Sequence, residues 1–143
     1  MKFFTLATIF AAASAVSGSQ LKYQNIYNSA YSLDLNSASC SNGPNGLVTK
    51  YGTQNSQQFR TKLKPGVYVA AAQAPWGSPK CGLCWKLVGT KSQRSAYFVT
   101  VDNSAPTIVG GEDMFKALSP SKTLFEGVIE VWAYQRPQSE CFK

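Results

Sequence analysis

Cys81 and Cys84 stand two residues apart in S-P-K-C-G-L-C-W-K-L, residues 78–87. That spacing serves a thiol redox centre, half of a zinc site, or the ends of two unrelated disulfides. A redox centre needs a β-α-β context around the motif, whereas the W-K-L-V-G that begins at Trp85 reads as a strand. A structural zinc wants a second close cysteine pair or histidines, and the chain has no histidine. Structural disulfides are the reading that survives. Cys40 and Cys141 complete an even set of four, which allows three pairings, and spacing does not choose among them.

The missing histidine also removes Ser-His-Asp and Cys-His catalysis. Glycoside hydrolysis would need two carboxyl groups facing each other across the scissile bond, one of them protonated. Of the seven acids, Glu112 and Asp113 suit a helix start, Glu140 lies beside the last cysteine, and Glu126 and Glu130 flank the final apolar segment. Asp34 and Asp102 have no evident structural task. Asp102 ends Y-F-V-T-V-D-N-S-A-P at a polar turn. There an Asp-Asn pair can orient a sugar hydroxyl or cap its own turn. Trp76, between Pro75 and Gly77, and Tyr51, before Gly52, lie near loops, where an aromatic ring suits sugar stacking. Trp85 and Trp132 fall inside apolar segments and read as core.

These groups need a scaffold. The first residues, M-K-F-F-T-L-A-T-I-F-A-A-A-S-A-V-S-G, have a charged start, a short apolar stretch and then small residues, the layout of a secretory signal. Small residues allow cleavage after Ala15, Gly18 or Ser19. The boundary is set at Gly18, giving a signal over residues 1–18 and a single domain over 19–143. A domain of this size buries roughly two thirds of its unfolded surface. With Lys2 removed, 13 basic residues face seven acids, a net charge of +6. The basic residues are scattered and form no stripe, which argues against nucleic acid, and no run of about 18 apolar residues argues for membrane insertion. None of the asparagines opens an N-glycosylation signal.

Short apolar segments broken by Gly, Pro, Asn and Ser predict a mainly β domain. Strands are expected at 22–27, 47–51, 67–72, 84–88, 96–101 and 128–134, enough for a small six-stranded barrel. Both sets of alternating residues in the last segment are largely apolar, which predicts burial on both faces. One helix is expected over Gly111–Leu118, with Glu112 and Asp113 at the positive end of its dipole and Pro120 beyond its end.

Four segments in order, C-S-N-G-P-N-G-L-V-T-K-Y-G-T (40–53), W-G-S-P-K-C-G-L-C-W-K-L (76–87), F-V-T-V-D (98–102) and the final cysteine, resemble the cerato-platanins, small secreted fungal proteins. The resemblance covers nearly the whole mature chain, but not 54–74. It implies a six-stranded double-psi β-barrel with one or two short helices, related to expansin first domains, barwin-type proteins and a class of inverting endoglucanase. It implies the pairing Cys40–Cys81 and Cys84–Cys141, with neither cofactor nor metal. It places Asn42, Gly43, Tyr51, Trp76, Asp102 and Asn103 in a shallow carbohydrate-binding groove. The implied ligand is a chitin-like oligosaccharide or cellulose, and the implied protein is a monomeric, non-catalytic elicitor or virulence factor at the fungal wall and plant apoplast, where a plant receptor is a further implied partner. The endoglucanase relatives carry their proton donor shortly before the small helix, and here Ile108, Val109 and Gly110 are not acidic. The stretch Ala105–Gly111, A-P-T-I-V-G-G, also departs from the Gly-Phe-Asn usual in the family. A wall-loosening protein or weak hydrolase using Asp102 and Asp34 is one alternative. A basic, aromatic-rich membrane-disturbing toxin is the other.

Overall fold

A computed structural model of the chain describes residues 16–143; the expected signal falls mostly outside them. Six strands, β1 (Val16–Tyr23), β2 (Tyr68–Ala72), β3 (Cys84–Gly89), β4 (Ser95–Asn103), β5 (Ile108–Gly110) and β6 (Ile129–Arg136), close a barrel in the order β1-β5-β2-β4-β3-β6. The pairs β1–β5 and β2–β4 run parallel, and the other contacts are antiparallel. β4 is the centre of the design. Its run S-A-Y-F-V-T-V-D-N is rich in β-branched and aromatic residues, and it is paired on both sides and buried from Phe98 to Val101.

Apolar residues divide between the two faces of the sheet. Leu21, Leu87, Phe98, Val131 and Ala133 form one core with Met114, Phe115 and Leu118 of a helix, α3 (Glu112–Leu118). Val69, Val99 and Val101 face the other way, against Tyr27, Leu35, Leu47 and Phe59 from the loops between β1 and β2. Burial of this kind stabilises by roughly 25 cal/mol per Å² of apolar surface. The disulfides Cys40–Cys81 and Cys84–Cys141 tie those loops and the C-terminus to the barrel, each worth about 4 kcal/mol by loop-closure entropy. The cysteine motif therefore faces two partners. The side-chain amide of Gln138 braces it further, accepting from the Cys84 N–H at 2.9 Å and donating to the Gly82 carbonyl at 2.8 Å.

Three local expectations are corrected, and one helix appears where no element was expected. Residues 47–51 form a one-turn helix, α1 (Leu47–Tyr51), instead of a strand. The N–H groups of Leu47 and Val48 bond to the Cys40 and Ser41 carbonyls, and Gly52, at φ +67°, ends the turn. A second short helix, α2 (Ser56–Arg60), starts where Asn55 accepts from the Gln58 N–H, a capping signal present in N-S-Q-Q. The first strand ends at Tyr23, and Asn25–Tyr27 turns as a 3-10 segment. Finally, β6 is buried on one face only: Ile129, Val131 and Ala133 point inward, while Glu130 and Trp132 are exposed. Trp132 is thus not a core residue, and Trp85 is half-buried, its ring stacked on Phe98.

Candidate functional site

Asp102 sits at the end of β4, where the strand hands over to the turn. Its Oδ1 accepts from the backbone N–H of Ser39 at 2.9 Å and of Asn103 at 2.8 Å, and its Oδ2 accepts from the Tyr27 hydroxyl at 2.9 Å. Both carboxylate oxygens thus serve as acceptors, and three donors fix the orientation of the side chain. Burial raises the Tyr27 phenol well above its ordinary range, and the neighbouring carboxylate charge and hydrogen bond add to that. Asp102 both caps its own turn and stands partly open, so the two roles weighed for it are compatible.

The next residue carries the site outward. Asn103 Oδ1 accepts from the Ala74 N–H at 2.9 Å, and Ser39 Oγ donates to the Ala74 carbonyl at 2.6 Å. Ala74 is thereby clamped on both sides, and two residues on its chain presents Trp76. This indole is 63% exposed, yet it is fixed: Nε1 donates to Asn42 Oδ1 at 2.8 Å, and Asn45 Nδ2 donates to the Gly77 carbonyl at 2.9 Å. Gly43 lies against the ring. Its φ of +84° suits glycine, and a Cβ there would meet Trp76 Cζ2 at 3.0 Å. The Cys40–Cys81 bridge holds the segments that carry Asn42 and Trp76.

Asn42, Gly43 and Trp76 are in contact with one another, and they connect through Ala74 to Asp102 and Asn103. Tyr51 belongs elsewhere. Its ring is stacked on Phe142 at 5.5 Å between centroids and meets Phe59 edge-on, so it seals the core beside the C-terminus. Lys50, Lys62 and Lys143 gather around it in an open groove of about 460 Å³, a local concentration of charge that the scattered sequence positions hide. Asp34 is engaged in its own turn, where it accepts from the N–H and the Nδ2 of Asn36. Sequence reasoning missed Tyr27, Ser39 and Ala74, which position the site through contacts between distant parts of the chain. Among the described residues no group of three His, Cys, Asp or Glu side chains could hold a metal ion, and no helix is long and apolar enough to cross a membrane.

The cerato-platanin family model matches residues 19–142. The chain belongs to the cerato-platanin family. Similar proteins include cerato-platanin of Ceratocystis fimbriata f. sp. platani, 37% identical over 84 residues, which are 59% of this chain and 56% of that protein. The match thus spans little more than half of that relative's length. Among solved structures, cerato-platanin 3 from M. perniciosa superposes with a TM-score of 0.73 at 25% identity, covering 86% of this chain and 97% of that one. An expansin of Clavibacter michiganensis, solved as an aspartate-to-asparagine variant in complex with cellohexaose, shares the fold at a TM-score of 0.53 and 12% identity, over 86% of this chain and 51% of that one. The fold of this cerato-platanin is therefore the mainly β double-psi barrel that the sequence resemblance implied, with three short α-helices. The family is fungal and secreted, and two disulfides suit an extracellular protein.

Proposed function

We propose that this cerato-platanin binds a cell-wall polysaccharide of the chitin or cellulose type outside the cell, and does so without cleaving it. The observation that carries the reading is the fixed, exposed Trp76 indole, joined through the clamped Ala74 to Asp102 and Asn103. A pinned aromatic face loses little entropy when a sugar ring stacks on it, and adjacent polar groups select the hydroxyl pattern. Tyr51 is left out of this site because its ring is packed against Phe59 and Phe142.

The carboxylates support binding without cleavage. An inverting hydrolase needs one carboxyl group held protonated and a second as base. Asp102 is held as an acceptor by three donors, Asp34 is engaged with Asn36, and the positions before α3 are the apolar strand β5. Recognition by a plant, as elicitor or virulence factor, is the consequence expected of a secreted fungal protein at the wall. Necrosis or defence-gene induction after leaf infiltration tests that part.

The main test is a chitohexaose and cellohexaose titration followed by tryptophan fluorescence, with Trp76→Ala and Asp102→Ala alongside. Saturable quenching in the unaltered protein that both substitutions weaken supports the site. No saturable change up to millimolar sugar sinks it. Reducing ends released from either polymer, and abolished by Asp102→Asn, would overturn the non-catalytic part. The expansin-like fold favours one second reading, wall loosening, which weakening of cellulose fibres without new reducing ends would reveal.

A further inference from the structure

Trp132 has no part in the site above. It lies in β6 directly opposite Gly18 of β1, and its six-membered ring rests against that glycine, where a Cβ would come within 3.3 Å of Cζ3. The indole is nevertheless 45% exposed. It forms one wall of an open groove of about 430 Å³, in which Glu130, Gln20, Thr90 and Thr107 supply hydrogen-bonding side chains. One aromatic plate flanked by an acid, an amide and two hydroxyls offers a stacking face together with hydrogen-bonding groups. The carboxylate of Glu130 disfavours an anionic polymer. The chemistry that fits is a neutral sugar, stacked on the ring and bonded at its hydroxyls or acetamido group.

Further observations extend the groove toward β2. It shares Ser19 and Pro106 with a smaller cavity of about 180 Å³ that reaches Ala72, Gln73 and Thr100. Thr100 lines it too; it is 1% exposed, and its hydroxyl has no hydrogen-bond partner among the described residues. Ala72 is the register partner of Asn103, and Gln73 precedes the clamped Ala74. The smaller cavity therefore adjoins both the Trp132 groove and the end of β2 that leads to the clamped Ala74.

We propose that Trp132 is a second sugar platform, distinct from the one at Trp76. This rests on the carbohydrate-binding reading but on separate residues, so the two fail separately. The ligand class is a neutral polysaccharide, and a short oligomer of the same sugar suffices to occupy the Trp132 plate.

The experiment compares adsorption to insoluble chitin and cellulose for the unaltered protein, Trp132→Ala, Trp132→Phe and Trp76→Ala, with the indole N–H resonances followed by NMR during a hexasaccharide titration. Trp132→Ala should weaken polymer binding ~10-fold, the scale of one lost aromatic stacking contact. Trp132→Phe should restore most of it, and the Trp132 indole should shift saturably. An unchanged melting temperature would show that the exposed side chain acts in binding and not in folding. If Trp132→Ala binds polymer as the unaltered protein does while Trp76→Ala loses binding, the second platform is overturned and the first reading stands. Loss only in Trp132→Ala would support the Trp132 platform and overturn the site at Trp76. Absence of polymer binding by the unaltered protein overturns both.

Discussion

The Tyr27 hydroxyl donates to Asp102 Oδ2 at 2.9 Å, joining a buried phenol in the loop after β1 to the carboxylate at the end of β4, 75 residues away. The other oxygen of the same carboxylate takes the Ser39 and Asn103 N–H groups. One carboxylate thus draws together three separate segments, and its surroundings decide both the shape of the site and its behaviour with pH.

Tyr27→Phe removes one of the three donors and should cost about 1.5–3 kcal/mol, the range for a hydrogen bond to a charged group. The pH dependence has a definite sign. Because the folded phenol titrates above its unfolded value near 10, its contribution is complete below about pH 10. It is lost as pH rises from there toward the folded value. Urea melts at pH 7, 9 and 11 should show the unaltered protein losing stability faster than Tyr27→Phe over the alkaline interval. Parallel losses in the two proteins would contradict the assignment.

The two disulfides should separate in function although they are similar in stability. Replacing either pair by alanine should lower stability by about 4 kcal/mol. Cys40–Cys81, however, holds the segments bearing Asn42 and Trp76, whereas Cys84–Cys141 fixes the C-terminus. The double variant Cys40→Ala, Cys81→Ala should lose sugar-induced quenching at temperatures where it remains folded. The variant lacking Cys84 and Cys141 should keep it. Equal binding by both would show that the Trp76 loop holds its geometry without the bridge.

Gln138 offers a test of the bracing around the cysteine motif. Its amide bonds to Cys84 N–H and Gly82 C=O through complementary ends, so Gln138→Ala leaves two backbone groups in need of partners. A loss of about 1–3 kcal/mol is expected, the cost of unsatisfied partly buried polar groups, read as a lower urea midpoint. Gln138→Glu should be nearly as costly, since a carboxylate cannot donate to the Gly82 carbonyl.

What the sequence could and could not reveal follows from the reach of each signal. β2, β3, β4, β6 and α3 were legible because each carries its own pattern over five or more residues. Leu47–Tyr51 was not, since a short apolar run fits a strand or one helical turn equally; the carbonyls of Cys40 and Ser41 decided the matter. β5 is three residues long and exists only through its neighbours β1 and β2. In the candidate site, Trp76 and Asp102 stood out by their turn positions. The removal of Tyr51 depended on Phe142, 91 positions later, which local reasoning cannot supply. Trp132 was hidden by its apolar neighbours, because alternation gives two faces without saying which is open.

The position of the mature N-terminus is the remaining proposal on which the fold bears. Cleavage after Gly18 would delete Val16, Ser17 and Gly18, which pair with Tyr134, Ala133 and Trp132 in the β1–β6 ladder. It would also take away the residue on which the Trp132 ring rests. Cleavage after Ala15, within the small-residue sequence Ala13-Ser14-Ala15, retains all three pairs. Mass spectrometry of the secreted protein should therefore find Val16 first. A chain begun at Ser19 should be less stable by roughly 1–3 kcal/mol, a few net ladder hydrogen bonds, and should adsorb less well to polymer. A mature chain that begins at Ser19 in nature would argue that those three pairs are dispensable, and would remove the support beneath the second platform.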